Sequence, residues 1–414
     1  MSKAIIILIS LSVGLLIGAL SVGSPPLIGE IADLIGTWWL NGMRMTVVPL
    51  VVSLLIVGIA QTAEAAKTGK LAGRGVMLML AILWLSSLMA AFAIPAITEI
   101  FPIPADAAAA LRTALGVSDA PEKVPSFITF LKDIVPTNPI SAAVEEKILP
   151  LIIFTIAFAF AVVQLGNDKR ASILTLFEGV AEAMVIVVGW VLALAPIGVF
   201  ALAFKLGMTA GSAAFGALAH YVIVLVAVGA VVWIASFFLA AIGAGRNPLA
   251  FFKAAMPAQA VAISSQSSLA SLPAMLNGLD QLGVRTRTSE IILPVAVALF
   301  RATGPAMNLG VALYVAHWLG IELTMGQIAL GVAAGAITTM GAVSLPGSIS
   351  FISSIAPICI VMGVPIEPLG LLVAIETFPD IMRTLGNVTM DMAVTATVDH
   401  RVAEDQTELM EKTV

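Results

Sequence analysis

The sequence is poor in the residues on which soluble protein chemistry depends. Only 11% of its 414 residues are charged, against roughly 25% in soluble domains, and 60% are hydrophobic. The single cysteine, Cys359, excludes an internal disulfide and argues against a cysteine-based metal site. His220, His317 and His400 lie too far apart in the chain to suggest a metal cluster. With no phosphate-binding loop, soluble nucleophile motif or nucleic-acid patch, we expect a polytopic membrane protein that is not an enzyme. We expect no cofactor, transition-metal site or nucleic-acid partner.

Ten long apolar blocks occupy most of the chain. They cover residues 4–22, 32–61, 73–102, 145–166, 175–204, 216–243, 254–279, 290–320, 327–362 and 369–398. The first block could be a signal peptide, but its apolar run is long and leads straight into another membrane segment. We therefore interpret it as the first transmembrane helix.

The last apolar block carries a line of polar side chains. At about 100° per residue, the line falls within an arc of roughly 80° on a helix between Leu371 and Val398. Its members are Glu376, Asp380, Arg383, Asn387 and Asp391, with Thr384 at the edge. One charge at the bilayer centre costs about 2.5–3.5 kcal/mol, so four of them need partners, a cavity or a ligand. A buried salt-bridge network that only fixes helix packing is the alternative. Since intramembrane charge is usually functional, we predict a binding site here.

Two blocks do not look like ordinary membrane spans. Residues 254–279 and 332–362 are both interrupted by serines, and both contain Ser-Leu-Pro at the interruption, at 271–273 and 344–346. Irregular backbone at membrane depth is tolerated where it is buried in protein or lines a wet cavity, and paired interruptions point to the site of a repeat-built transporter. The alternative is two serine-rich helices that pack through small residues.

The positions of Lys and Arg favour two re-entrant hairpins. If both interrupted blocks enter and leave on one side, Arg285 and Arg287 lie on the cytoplasmic side, where basic residues of short loops are preferred. If both blocks crossed fully, these two arginines would lie outside. The sequence therefore predicts an all-α inner-membrane protein with eight transmembrane helices, two re-entrant helical hairpins and both termini in the cytoplasm.

At the level of motifs, the chain resembles the dicarboxylate/amino acid:cation symporter family, which includes glutamate and aspartate transporters. The motifs are Pro-Thr-Asn-Pro at 136–139, Ala-Pro-Ile-Gly-Val-Phe at 195–200, the serine-rich first hairpin, and Asp-x-x-Arg-Thr-x-x-Asn-Val-Thr-x-Asp at 380–391. The last pattern is highly specific. The resemblance implies inverted repeats, a homotrimer and a mobile transport domain that slides as an elevator against a static scaffold.

The resemblance also implies a division of the chain. Residues 1–72 would be scaffold, 73–103 a transport-domain helix, 104–215 scaffold again, 216–400 the rest of the transport domain, and 401–414 a cytoplasmic tail.

Carried over by position, the resemblance implies a role for each site residue. Asp380 would bind a substrate ammonium, and Arg383 would bind a side-chain carboxylate, a task that suits its planar guanidinium. The other substrate-binding positions would be Ser267, Ser268, Ser344, Leu345, Pro346, Gly347, Thr384 and Asn387. The cation or proton positions would be Asp391, Asn387, Thr303, Met307, Glu376, Ser86 and Ser87.

The chain departs from the family pattern in its penultimate helix. Where the family usually has Asn-Met-Asp-Gly-Thr, residues 307–311 read Met-Asn-Leu-Gly-Val. Leu309 cannot ligate sodium, and a one-residue shift that aligns Asn308 does not restore the aspartate. Arg301 is an additional charge nearby, which could replace a missing cation or pair with Glu376 or another carboxylate. We therefore expect at least one sodium site to be lost or weakened.

These observations predict a symporter of a small acidic amino acid, aspartate or glutamate, coupled to Na⁺ or H⁺. Asp380 favours an amino acid, because a dicarboxylate without an ammonium would meet an unpaired carboxylate. The alternatives are a C4-dicarboxylate symporter, with Arg301 as the second positive partner, and a sensor or leak channel on the same fold.

Overall fold

The computed structural model describes residues 3–21, 25–67, 69–103, 135–145, 147–210, 213–341 and 347–411. Within these ranges all regular secondary structure is α-helical, which confirms the predicted fold class. The helices are α1 (Lys3–Leu20), α2 (Pro26–Arg44), α3 (Val47–Lys67), α4 (Lys70–Ile100), α5 (Pro139–Val144), α6 (Ile148–Val163), α7 (Asn167–Ala193), α8 (Ala195–Ala210), α9 (Ala213–Ala244), α10 (Pro248–Ser265), α11 (Ser268–Gln281), α12 (Thr286–Leu299), α13 (Thr303–Leu319), α14 (Met325–Gly341), α15 (Gly347–Met362), α16 (Glu367–Leu372) and α17 (Thr377–Glu411).

Five helical stretches of the described chain are long and apolar enough to cross a membrane. They are Leu27–Ala65, Leu71–Ile100, Asn167–Ala193, Phe215–Ala244 and Thr286–Leu319. Further apolar helices, such as those of the two interrupted blocks, are shorter. The chain is therefore an integral membrane protein, while the count of eight spans and two re-entrant hairpins stays a prediction.

Helix packing forms two groups. In the first group α8 packs on α1 and α2, and α3 packs on α6 and α7. In the second group α17 lies against α9, α10 and α12, and α13 lies against α4, α9 and α14. The two groups meet mainly where α3 contacts α4 and the pair α14–α15. The predicted site residues on α17 belong to the second group.

Helices α1 and α8 approach each other so closely that only glycine fits between them. A Cβ atom on Gly18 would lie 2.1 Å from the carbonyl oxygen of Phe204, and one on Gly207 would lie 2.3 Å from that of Leu15. Small residues allow membrane helices to pack backbone against backbone in this way. This contact anchors the N-terminal helix to the first group.

The first serine-rich block forms a helical hairpin. Helices α10 and α11 pack against each other across a turn at Gln266, which adopts a left-handed conformation with φ 52°. The side chain of Ser267 caps α11 by accepting a hydrogen bond from the backbone N–H of Ala270 at 3.2 Å. In the second serine-rich block, α14 packs against α15, and the connection at residues 342–346 lies outside the described residues.

The block at 290–320 is broken between α12 and α13. Pro305 lacks an N–H, and its ring excludes a helical turn onto the carbonyl of Arg301, four residues earlier. That carbonyl instead accepts from Gly304 at 2.9 Å, while Phe300 adopts an extended conformation. Arg301 therefore lies at the unwound part of its helix.

The prediction of one continuous helix from Leu371 to Val398 is wrong at its start. Helix α16 ends at Leu372, and residues 373–376 form turns closed by bonds three residues apart, such as Glu376 N–H to the Val373 carbonyl at 3.4 Å. Pro379 cannot donate to the carbonyl of Ile375, which excludes an α-helical turn there. Glu376 thus lies in the turn before α17 rather than on the helix. At the other end α17 continues beyond the apolar block to Glu411.

Candidate functional site

Arg383 lies at the centre of the predicted polar stripe and is buried. Its Nη2 atom donates to Glu376 Oε1 at 2.6 Å, and its Nη1 atom donates to Asn308 Oδ1 at 2.5 Å. Its Nε atom lies 3.6 Å from Asp380 Oδ1, too far for a hydrogen bond. The turn at 373–376 and helices α13 and α17 together surround the guanidinium.

Several buried polar atoms around Arg383 lack hydrogen-bond partners among the described residues. They are the Nε atom of Arg383, the Oε2 atom of Glu376 and the hydroxyl of Tyr221. Tyr221 lies on α9 and interacts electrostatically with both Glu376 and Arg383. Since buried polar groups in folded proteins are nearly always paired, these three atoms mark a place where a polar ligand can bind. Arg383 and Tyr221 offer hydrogen-bond donors there, and Glu376 offers an acceptor.

The unwound segment between α12 and α13 is held by side chains of other helices. The backbone N–H of Thr303 donates to Asn387 Oδ1 at 2.9 Å, and the Thr303 hydroxyl donates to the same oxygen at 2.8 Å. Ser86 on α4 donates to the carbonyl of Ala302 at 2.5 Å. These bonds satisfy backbone groups that a continuous helix would have paired. Asn387, Thr303 and Ser86 are thereby brought together at the break.

Asp391, one turn further along α17, is completely buried. Neither of its carboxylate oxygens has a hydrogen-bond partner among the described residues. The preceding turn of α17 carries Asn387, which accepts from the backbone N–H of Thr303 at the helix break. Thr384, predicted as a substrate contact, donates its hydroxyl to the backbone carbonyl of Asp380 at 3.0 Å. The stripe is thus continuous from Glu376 to Asp391.

The position of the missing family aspartate does not suit sodium, which requires oxygen ligands. Leu309 is fully buried, and its side chain packs so closely on α14 that a Cβ atom on Gly331 would lie 2.8 Å from it. Ser87 donates its hydroxyl to the carbonyl of Val332 at 2.8 Å, so this pair already satisfies itself. Met307 is buried against Gly229 on α9. Leu309 and Met307 therefore contribute apolar contacts here and offer no oxygen ligand.

Both helices of the first hairpin pack against α17, which carries the buried stripe. Ser267 and Ser268 are half-buried at the tip of the first hairpin, and within the described ranges no hydrogen bond joins them to Asp380 or Arg383. At the second hairpin, the predicted positions Ser344, Leu345 and Pro346 lie outside the described residues, and Gly347 begins α15.

Two residues of the site were missed as ligand-binding candidates in the sequence. Asn308 was considered only as a shifted member of the cation pattern, yet it binds Arg383. The sequence feature that points to Asn308 is an amide side chain in an otherwise apolar helix. Tyr221 gave no signal, because a tyrosine in an apolar block is indistinguishable from a core aromatic without the packing of α9 on α17.

The chain is similar in sequence to known proteins over almost its whole length. The sequence model of the sodium:dicarboxylate symporter family matches residues 4–401. A proton/sodium-glutamate symport protein of Bacillus subtilis is 29% identical over 397 residues, which are 92% of this chain and 89% of the relative. A C4-dicarboxylate transport protein of Laribacter hongkongensis is 24% identical over 371 residues, 88% of this chain and 82% of the relative.

Proposed function

Because the chain belongs to the sodium:dicarboxylate symporter family, we propose that it is a secondary active symporter. It would carry a small acidic substrate across the plasma membrane together with a cation or a proton. The observation that carries the proposal is the buried Arg383: among the described residues, neither its Nε atom nor the Oε2 atom of Glu376 has a hydrogen-bond partner. A guanidinium in this position can bind a carboxylate that water does not reach.

The substrate we favour is an acidic amino acid, aspartate or glutamate. Arg383 would bind the side-chain carboxylate, and Asp380, also buried, would bind the ammonium. Asp380 accepts no hydrogen bond from Arg383, since their closest atoms are 3.6 Å apart, so its carboxylate can still accept from a ligand. The serines of the first hairpin and residues 344–347 of the second would close over the α-carboxylate.

A C4-dicarboxylate is the second candidate, and one observation favours it. Asp380 Oδ1 lies 3.6 Å from Arg383 Nε, and a second arginine, Arg301, lies at the helix break that Asn387 of α17 binds through Thr303. If these two arginines compensate its charge, the site has no need of a substrate ammonium, and Arg301 could bind the second carboxylate. Relatives of both kinds, a glutamate symporter and a C4-dicarboxylate transporter, are similar to the chain over most of its length.

Transport would follow an elevator mechanism in a homotrimer with both termini in the cytoplasm. The moving part would comprise residues 73–103 and 216–400, and the scaffold residues 1–72 and 104–215. The packing of α4, α9, α10, α12, α13, α14 and α17 into one group supports this division, as does the limited contact with the other group around α3. A disulfide engineered between α3 and α14 should then stop uptake, with activity restored by a reductant.

The proposed function is tested by ligand-dependent thermal stabilisation of the purified protein, because a ligand that binds only the folded state raises the unfolding temperature. Acidic amino acids, C4-dicarboxylates and neutral amino acids are compared, each with and without sodium. Stabilisation by acidic ligands alone supports the assignment. Uptake into proteoliposomes then separates the classes: concentrative uptake indicates a carrier, uncoupled current a channel, and binding without either a sensor.

A further inference from the structure

We propose that Asn308 on α13 is a positioning residue that sets the charge preference of the proposed site. Its neutral amide oxygen fixes the guanidinium of Arg383 and adds no negative charge that would repel an acidic ligand. The inference rests on the proposed function, because it concerns the ligand that Arg383 would bind. It goes further by assigning the preference for a carboxylate over an uncharged amide to a residue outside the polar stripe of α17.

The first observation is that Asn308 is a polar side chain in an apolar part of α13. Residues 304–313 contain no other charged, amide or hydroxyl side chain, and α13 is buried along nearly its whole length. A buried amide without a hydrogen-bond partner is unfavourable. The Oδ1 atom of Asn308 accepts from Nη1 of Arg383 at 2.5 Å, so this contact accounts for an amide at the position.

The second observation is that the helix carrying Asn308 is held in place independently of this contact. At the start of α13, the backbone N–H of Thr303 donates to Asn387 Oδ1 on α17 at 2.9 Å. Directly after Asn308, the side chain of Leu309 packs so tightly on α14 that a Cβ atom on Gly331 would lie 2.8 Å from it. The amide therefore reaches the guanidinium from a backbone with little freedom to move.

The third observation is the charge of the other groups around Arg383. Its Nη2 atom donates to Glu376 Oε1 at 2.6 Å, and Asp380 Oδ1 lies 3.6 Å from its Nε atom. An arginine side chain carries five N–H groups, so several remain for a ligand, including that on Nε, which has no hydrogen-bond partner among the described residues. With two carboxylates already close, a third negative group would compete with a ligand carboxylate for the same guanidinium. A neutral acceptor orients Arg383 without that competition.

The test compares acidic ligands with their uncharged amides, which have nearly the same shape. The pairs are L-aspartate and L-asparagine, L-glutamate and L-glutamine, and succinate and succinamate. Dissociation constants are measured on the purified full-length protein by isothermal titration or by thermal stabilisation. In the parent we expect the acidic member of at least one pair to bind more tightly, and the ratio of the two dissociation constants measures the charge preference.

Two variants of Asn308 separate the effect of orientation from that of charge. Asn308→Leu removes the acceptor, so the affinity for the acidic ligand should fall by roughly ten- to a hundredfold, while that for the amide changes less. Asn308→Asp keeps the shape and the acceptor but adds a negative charge beside Arg383. It should weaken binding of the acidic ligand by about tenfold or more, because like charges repel, and should not weaken binding of the amide.

Gln259 on α10 provides the matched control, because its buried amide also contacts α17. Its Nε2 atom donates to the hydroxyl of Thr389 at 3.1 Å. Gln259→Leu and Gln259→Glu make the same two chemical changes at this second contact. Both should lower the unfolding temperature and leave the ratio of dissociation constants unchanged, so a loss of packing alone is distinguished from a change in charge preference.

An unchanged ratio in both Asn308 variants would overturn the proposal and leave the proposed function standing. Gln259 variants that change the ratio as much would overturn it too. If Asn308→Leu does not fold, the result for the isosteric Asn308→Asp decides. A parent protein that binds none of the three acidic ligands would contradict the proposed function, and the role of Asn308 with it.

Discussion

Helix α17 carries two clusters of arginine and carboxylate that differ in how completely their polar atoms are paired. At its far end, Asp399 accepts from Arg285 Nε at 2.7 Å and from the Thr288 hydroxyl at 2.6 Å, and its backbone carbonyl accepts from Arg285 Nη2 at 2.8 Å. Near its start, Arg383 and Glu376 each have a buried atom without a hydrogen-bond partner among the described residues.

The difference in pairing distinguishes a structural cluster from a functional one. A fully satisfied polar cluster stabilises one arrangement, and the Asp399 cluster fixes the loop before α12 to α17. A cluster with buried, unpaired atoms is unfavourable unless something binds it. Amino-acid types are similar in the two clusters, so the difference lies in pairing rather than composition. The following predictions test that distinction, from the largest expected effect to the smallest.

The largest expected effect is that of Arg383→Ala on substrate affinity. Removing one partner of a buried charge pair costs about 3–5 kcal/mol, so the affinity for an acidic substrate should fall by about a hundredfold or more. The measurement is ligand-dependent thermal stabilisation or isothermal titration. Arg285→Ala, which removes an arginine from the satisfied cluster, is the matched control. Unchanged affinity in Arg383→Ala would remove this residue from the site.

Asp380→Asn should discriminate between the two substrate classes. A hydrogen bond to a charged group contributes about 1.5–3 kcal/mol, so the affinity for aspartate or glutamate should fall by roughly ten- to a hundredfold. Binding of succinate or malate should change far less. The exposed Asp280→Asn on α11 serves as the control. Equal losses for both classes would make Asp380 a structural partner of the arginines.

Asp399→Ala should destabilise the protein without changing what it binds. Arg285 and Thr288 would lose their acceptor, at a cost of about 1–3 kcal/mol for unsatisfied groups. Thermal unfolding should therefore occur at a lower temperature, while the substrate dissociation constant stays the same. If Asp399→Ala lost substrate affinity as strongly as Arg383→Ala, the two clusters would not differ in function.

Thr303→Val should have a smaller effect at the junction of the broken helix and α17. The substitution removes the one hydroxyl proton for which Asn387 Oδ1 at 2.8 Å and the Arg383 carbonyl at 3.0 Å are both acceptors within reach. Losing this hydrogen bond should cost about 1 kcal/mol of binding free energy, which corresponds to roughly fivefold weaker substrate binding. Thr303→Ser keeps the hydroxyl and should bind like the parent. If Thr303→Ser weakens substrate binding as much as Thr303→Val, the hydroxyl is not responsible for the effect.

The smallest expected effect is that of sodium on the parent protein. Since Leu309 offers no ligand, substrate affinity should be nearly constant when sodium is varied at fixed ionic strength. If a proton is taken up with the substrate, binding must tighten as the pH falls, because linkage favours the state that holds more protons. Substrate titrations at several pH values show whether the affinity rises or falls as the pH is lowered. A steep sodium dependence without any pH effect would contradict the prediction.

The sequence predicts the class of the protein and the members of the polar stripe well. The apolar composition leads to the helical fold, and the pattern from Asp380 to Asp391 leads to the family that the whole chain matches. Both depend on local patterns, helical periodicity and residue spacing. The roles of the individual stripe residues remain predictions.

Pairing across helices could not be predicted in the same way. The bond from Arg383 to Asn308 joins residues 75 positions apart, and that from Asn387 to Thr303 spans 84. Which partners meet depends on how α13 packs against α17, and periodicity within one helix carries no information on that. The turn before α17 differs in kind, because it depends on a local feature: Pro379 has no N–H to donate to the carbonyl of Ile375.

The glycine contact between α1 and α8 has a consequence for biosynthesis. About 170 residues separate the two helices, so at roughly 5–20 residues per second the ribosome needs about 10–35 s to deliver α8 after α1. During that time α1 must remain in the bilayer without the partner that its glycines require. The N-terminal helix therefore joins the fold late, although it is made first. Substituting Gly18 or Gly207 should reduce the yield of assembled protein while leaving the substrate affinity of the assembled fraction intact.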